Sequence, residues 1–329
     1  ELGRLLGSLE ARGELEETLV IVLSDNGASA EGGPNGTFNE NFIFNGIEHD
    51  AERTMDLIDE LGGPLTYGHY PWGWAFAGNT PFRRWKRETH EGGIGDPLIV
   101  SWKGVPDPGA VRPHYTQDLW WREAGRYGAL PLHSQRVFAP GRPDAVRRRG
   151  RTVLQPMNAP VSEEVAPDTK LRRHRIVATF DVPADGAEGV LLAQGGRFGG
   201  YSLFVVDDRV HYTFNFAGVD QVTVTCDAPL DPGRHVAAVE LTPLEGLAMR
   251  ADLVVDGGAP AGVDIARTTP FRFSLEGEGL CCGYDDGTAV SDRYESPFPF
   301  TGGIAEVVVE LLDDGAPPLA AGSQGELAS

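Results

Sequence analysis

Cysteine and methionine are scarce, at three residues each in a chain of 329. Three cysteines cannot build the several bridges that staple small disulfide-rich folds. No run of 18 apolar residues occurs, so no segment has the length and hydropathy of a transmembrane helix. Basic residues are few: 28 Lys+Arg stand against 48 Asp+Glu, for a formal charge of −20. A surface of that sign excludes a non-specific nucleic-acid binder, which needs cations to displace phosphate counterions. Tryptophan is absent after Trp121, which removes the best sugar-stacking side chain from the C-terminal half. Glycine and proline are abundant instead, at 43 and 24 residues. They favour a loop-rich α/β or β architecture over a helical bundle. The length allows one large domain or two ordinary ones, with ample core for folding.

The chain starts at Glu1, already inside a helical pattern, and no charged-then-apolar leader is visible. Processing, or membership of a longer chain, accounts for that start. The cysteine count is compatible with a cytoplasmic protein and does not exclude a periplasmic one, so localisation stays open.

Charge divides the chain. Residues 1–179 carry 24 acidic and 21 basic side chains, whereas residues 180–329 carry 24 and 7. Just before the change, Arg136 to Arg175 holds ten Lys/Arg and four Asp/Glu, with Arg147, Arg148 and Arg149 among prolines. This stretch reads as a surface linker, with a functional basic patch as the alternative. The expected organisation is an α/β domain over 1–135, a basic linker over 136–175, an antiparallel sandwich over 176–320 and a tail over 321–329.

Leu2, Leu5, Leu6 and Leu9 fall on one helical face. Leu19 to Leu23 is an unbroken apolar run, as expected of a strand covered on both faces in a layered α/β sheet. Ser24-Asp25-Asn26-Gly27 follows at once, where ligands bind in open α/β sheets. Residues 28–46 read as loop, 48–61 as helix, Tyr70 to Phe82 as aromatic turns, and Pro97 to Trp102 as a second buried strand. After residue 176, strand-like runs at 176–182, 190–194, 201–206, 210–215, 222–226, 235–242, 253–256, 271–275 and 304–311 alternate with Gly, Asp and Pro. They indicate an antiparallel sandwich. Asp207-Asp208 reads as a hairpin turn, and Asp285-Asp286-Gly287 as another turn in preference to a cation site.

Two segments carry chemistry. Leu19-Val20-Ile21-Val22-Leu23-Ser24-Asp25-Asn26-Gly27-Ala28 resembles the strand and Ser-Asp-Asn-Gly segment of the arylsulfatases, in the alkaline-phosphatase superfamily. Residues Asn79 to Ile94, with Lys86 and Glu91-Gly92-Gly93, resemble the same family's Lys-x-x-x-x-Glu-Gly-Gly segment. The resemblance covers about residues 1–115. Arg197 to Tyr201 and His211 to Phe216 resemble a C-terminal extension of a large bacterial subgroup. The resemblance implies a partial alkaline-phosphatase-like α/β domain followed by an all-β, jelly-roll or lectin-like sandwich. It also implies hydrolysis of small sulfate esters through a formylglycine and Ca²⁺.

By resemblance, Asp25 and Asn26 correspond to two oxygen ligands of that Ca²⁺, and Lys86 to the lysine gripping the sulfate and the leaving oxygen. Each has a plainer reading. Asp-Asn-Gly is common turn chemistry, and Lys86 within Arg-Arg-Trp-Lys-Arg is an ordinary solvated charge. His90 is a packing residue or a catalytic one. The formylglycine motif, Cys or Ser followed by x-Pro/Ala-x-Arg, is absent. Cys226-Asp227-Ala228-Pro229-Leu230 comes nearest and has Leu in place of Arg. The paired Asp of the family's first strand are also missing. Near residues 117–118 a block of the domain is skipped. This chain alone is therefore expected to be inactive. The alternatives are a phosphomonoester or phosphonate hydrolase, against which Asn26 favours a one-metal site, and a non-catalytic sandwich that binds glycan or self-associates.

Overall fold

The computed structural model describes residues 1–47, 51–104, 109–111, 122, 125–126 and 150–312. The basic run Arg147–Arg149, the join near 117–118 and the 321–329 tail lie outside the described residues. The chain forms two compact units. One comprises Glu1–Ala30 with Trp72–Asp144, and the other Glu31–Pro71 with Ala145–Ser329.

Along the chain the first elements are α1 (Leu2–Ala11), β1 (Val20–Leu23), α2 (Asn41–Phe44), α3 (Ala51–Asp56), α4 (Trp72–Asn79), α5 (Glu91–Ile94) and β2 (Leu98–Ser101). In the first unit, β1 pairs antiparallel with β2, Leu23 opposite Leu98 and Val20 opposite Ser101. Contrary to the expectation of a strand covered on both faces, Ile21, Leu23, Leu98 and Val100 are exposed. These four share one face of the ribbon, because side chains alternate along a strand. The pair forms a two-stranded sheet, with no third strand hydrogen-bonded to it among the described residues. The aromatic stretch from Tyr70, read as turns, instead holds α4, because Ala75, Phe76 and Ala77 sustain a helix beside the flanking glycines.

The second unit is the sandwich. Its strands are β3 (Arg151–Leu154), β4 (His174–Val182), β5 (Gly189–Gly196), β6 (Gly199–Val206), β7 (Arg209–Phe216), β8 (Asp220–Thr225), β9 (Gly233–Pro243), β10 (Met249–Val255), β11 (Ala261–Ile265), β12 (Leu280–Cys282) and β13 (Gly303–Leu311). Six form a sheet in the order β11-β10-β9-β4-β13-β3, and five form another in the order β12-β5-β6-β7-β8. β3 lies inside the stretch read as linker, where it pairs with β13 as the sheet's edge strand. The β6–β7 hairpin turns at Asp207 and Asp208 with φ of 51° and 54°, the paired positive values of a tight two-residue turn.

Strict alternation in β4 points Ile176, Ala178 and Phe180 inward, and Ala237, Val239 and Leu241 of β9 continue the layer. The five-stranded sheet is buried on both faces. Tyr201, Leu203, Tyr212 and Phe214 face the core shared with the other sheet. Val190, Ala193 and Phe204 pack instead with Val290, Tyr294 and Phe298 of an overlying segment.

Residues 271–275, read as a strand, are not one. Their amides take side-chain partners in place of a ladder: Asn45 Oδ1 accepts from Phe271 and Arg272, and the Glu163 carboxylate accepts from Phe273 and Ser274. Asn45 belongs to the 31–71 segment, which packs on the sandwich through three buried asparagines. Asn39 Nδ2 donates to the Ala217 carbonyl at 2.8 Å, Asn41 Nδ2 to Phe198 at 3.0 Å, and Asn45 Nδ2 to Arg272 at 3.0 Å. Phe38 and Phe42 pack edge to face beside them, against Ala217.

Candidate functional site

Asp25, Asn26 and Lys86 all belong to the first unit. The Ser24–Gly27 turn leaves β1, and the Ser24 hydroxyl closes it by donating to the Asn26 carbonyl at 2.7 Å. Asp25 is exposed and Asn26 is half-buried. Lys86 is half-buried, and its backbone N–H donates to the Ala28 carbonyl at 3.0 Å. The residues after the turn and the Lys86 segment, about 60 positions apart in sequence, therefore meet.

Asn79, at the end of α4, makes the junction. Its Oδ1 accepts from the Ala28 N–H at 2.9 Å, and its Nδ2 donates to the carbonyls of Arg84 at 2.8 Å and Gly92 at 2.7 Å. A carboxamide suits the place because it donates and accepts from one head group. The contact also requires glycine. A β-carbon on Gly27 would stand 1.7 Å from the Gly92 carbonyl oxygen, and one on Gly92 would stand 2.2 Å from that of Arg84. Glu91-Gly92-Gly93 thus shapes the backbone at the start of α5. Trp72 secures the other side, donating to the Ala30 carbonyl at 3.0 Å and stacking on Trp85 at 5.6 Å.

Arg84 and Arg87, on either side of Trp85-Lys86, hold φ of 65° and 78°. Non-glycine residues rarely occupy that region, and each such residue costs on the order of 1–3 kcal/mol unless its surroundings enforce it. His90 opens α5 on the surface, and its carbonyl accepts from the Gly93 N–H at 2.8 Å. Two residues escaped the sequence reading. Asn79 carries no motif of its own. Asp96, just before β2, titrates above the ordinary carboxylate value, through burial first and the Asp25 charge second. The only sequence signal for it is its place two residues before Leu98, the partner of Leu23.

The expected Ca²⁺ meets a partial fit. Asp25 and Asn26 offer hard oxygen donors of the right kind, yet Ca²⁺ takes six to eight oxygens. Among the described residues no group of three or more His, Cys, Asp or Glu side chains is placed to hold a metal ion. The cysteines offer no nucleophile either. All three are buried in the sandwich, and burial pushes Cys281 and Cys282 up to about 12, so both remain thiols.

Residues 1–120 match the family model named Sulfatase. Among solved structures, the chain is similar to mouse laminin alpha1 domains LG4-5 at 16% identity and a TM-score of 0.32, over 50% of this chain and 40% of that one. It is also similar to the heptameric SAP-like pentraxin of Limulus polyphemus at 13% identity and a TM-score of 0.31, over 51% of this chain and 80% of that one. The chain thus spans under half the length of the laminin chain. The sandwich assignment itself rests on the strand order described above. Over its first 120 residues the chain thus resembles the sulfatases, a family of sulfuric-ester hydrolases.

Proposed function

We propose that the chain contributes one side of an arylsulfatase-type site, with Lys86 as the sulfate-gripping cation and Asp25 and Asn26 as oxygen donors. The carrying observation is the backbone contact of the 24–28 turn with the 83–93 segment, fixed by Asn79 and the two glycines. It supports a common surface for an ammonium, a carboxylate and a carboxamide.

The chemistry of sulfate esters calls for such a set. Bond cleavage builds negative charge on the ester oxygen, and a prepositioned cation lowers the energy of that state more than the ground state. The Lys86 ammonium is a compact charge able to follow that oxygen. The Asn26 carboxamide offers a neutral donor, and the Asp25 carboxylate would attract a metal ion when other ligands complete its shell. No step is assigned to Ca²⁺, because the donors described here are too few. Without a formylglycine motif, the chain on its own holds no group to attack sulfur.

Purified chain incubated with Ca²⁺ and 4-nitrophenyl sulfate is accordingly expected to release no nitrophenol beyond background. Sustained, dose-dependent release would overturn this. The residue roles are read in a chimera, with residues 19–102 replacing the matching segment of an active sulfatase. An active chimera is expected to lose about 10²–10³ in kcat/KM on Lys86→Ala, the cost typical of removing one charge-stabilising donor. Unchanged kinetics in that variant would remove Lys86 from the proposal.

A further inference from the structure

An open cleft of the second unit has a volume of about 700 Å³, within the range of small-molecule sites. Phe38 and Leu57 of the 31–71 segment form one side, and Phe198 with the loops after β7 and before β13 forms the other. We propose that this cleft binds neutral carbohydrate. The inference does not rest on the sulfate-ester reading and stands or falls separately.

The first argument is preorganisation. Asn215, almost fully buried, donates to the carbonyls of Arg197 and Val290 at 3.0 Å each and accepts from the Gly218 N–H at 2.9 Å. Gln221 Nε2 donates to the Val290 carbonyl at 3.2 Å, while its Oε1 accepts from the Asp292 N–H at 3.1 Å. The Arg197 N–H donates to Thr288 Oγ1 at 2.9 Å, and its guanidinium reaches the Pro64 carbonyl at 3.1 Å. Both sides are therefore held before any ligand arrives, which lowers the ordering cost of binding.

The second argument is the mixture of groups. Exposed Asp220, Asp292 and Glu295 line the cleft beside the Arg197 guanidinium and the Thr288 hydroxyl. Exposed Leu65 and half-buried Leu57 supply the apolar surface beside them. Carboxylates accept from sugar hydroxyls, the guanidinium donates to sugar oxygens, and apolar carbons cover the C–H face of a pyranose ring. The sign of the charge narrows the class. Asp220 already pairs with Arg267, which leaves Asp292 and Glu295 facing Arg197 alone within the cleft. The half of the chain beyond residue 179 holds 24 acidic and 7 basic side chains, so sulfated or phosphorylated glycans are repelled. A polyamine gains from the acids but meets Arg197 in the same wall.

The test is an array of neutral, sulfated and amine-bearing glycans probed with the intact chain, followed by titration of the best neutral oligosaccharide. The same titration is run with Asp292→Ala/Glu295→Ala, both exposed positions, and with Leu65→Arg, which places bulk in the opening. Neutral glycans are expected to bind, with at least a tenfold loss in each variant whose calorimetric melting matches the parent. Silence toward every neutral glycan would overturn the proposal. Binding confined to sulfated or amine-bearing members, or binding unchanged in both variants, would overturn it too.

Discussion

The Tyr294 hydroxyl donates to Asp285 Oδ2 at 2.7 Å beneath the outer face of the five-stranded sheet. The same oxygen accepts from the Val290 N–H at 3.0 Å, and Asp285 is 1% exposed. Burial pushes its carboxyl up to about 7, against the pull of those two hydrogen bonds, with the Glu278 charge adding to the rise. A carboxyl raised on folding contributes stability that is complete below its unfolded value, near 3.9, and is lost as pH climbs through 7. The stability of the sandwich should therefore fall between about pH 4 and 8. Asp285→Asn, which cannot ionise, should flatten that decline by up to about 4 kcal/mol at pH 8, from three units at 1.36 kcal/mol each. Calorimetric melting from pH 5 to 8 reads the effect, and parallel profiles for parent and variant would refute it.

His174 sets the acid limb. It is fully buried in β4, its Nδ1 bonded to the Arg172 carbonyl at 2.7 Å. Burial lowers its pKa to about 4, although that hydrogen bond and nearby acids oppose the shift. The contribution is present above the unfolded value of about 6.5 and is lost as pH falls through 4, to a limit of about 3 kcal/mol. His174→Gln should lose part of this acid sensitivity. Because every tryptophan lies at or before Trp121, the sandwich is followed by tyrosine near-UV dichroism, and an unchanged acid midpoint would count against the assignment.

Gly27→Ala tests the junction of the two motif segments. The new methyl would meet the Gly92 carbonyl oxygen at 1.7 Å, a backbone atom that cannot swing aside. Overpacking of this kind costs about 1–3 kcal/mol. Loss should be confined to the first unit, which contains all six tryptophans. The tryptophan fluorescence transition should fall in temperature while the tyrosine signal of the sandwich stays in place. A shared shift of both transitions, or none, would contradict the packing described.

Much of the sandwich was legible because strands with a period of two are separated by Gly, Asp and Pro. Eight of its strands coincide with runs visible in the sequence, and Asp207-Asp208 turns as its chemistry suggests. The failures have physical causes. Short strands such as β12 pass unseen because three residues carry no period. Residues 271–275 have strand composition, but Asn45 and Glu163 take their amides. The run Leu19–Leu23 is apolar enough for a doubly covered strand, yet hydropathy does not say which partner covers it. In the proposed site, the choice of Asp25, Asn26 and Lys86 comes from motif resemblance. Asn79 was not legible, because its role follows from three bonds to distant backbone groups.

Asn45 offers the most demanding test of the segment 31–71. Its Nδ2 donates to the carbonyls of Asn41 and Arg272, both at 3.0 Å, and its Oδ1 accepts from the amides of Phe271 and Arg272. Replacement by Ala orphans several backbone groups at once, and each buried orphan costs roughly 1–3 kcal/mol. The loss falls on both partners: the 31–71 segment loses an anchor, and Phe271 and Arg272 lose what they have in place of a strand ladder. Asn45→Asp is the sharper variant, because its carboxylate keeps the two acceptor contacts but faces two carbonyls without a proton to give. Both variants should raise the rate of proteolytic cleavage within 31–71 by tenfold or more, with the strands from β4 to β10 still protected. Equal cleavage rates in parent and variants would mean that this asparagine does not hold the segment.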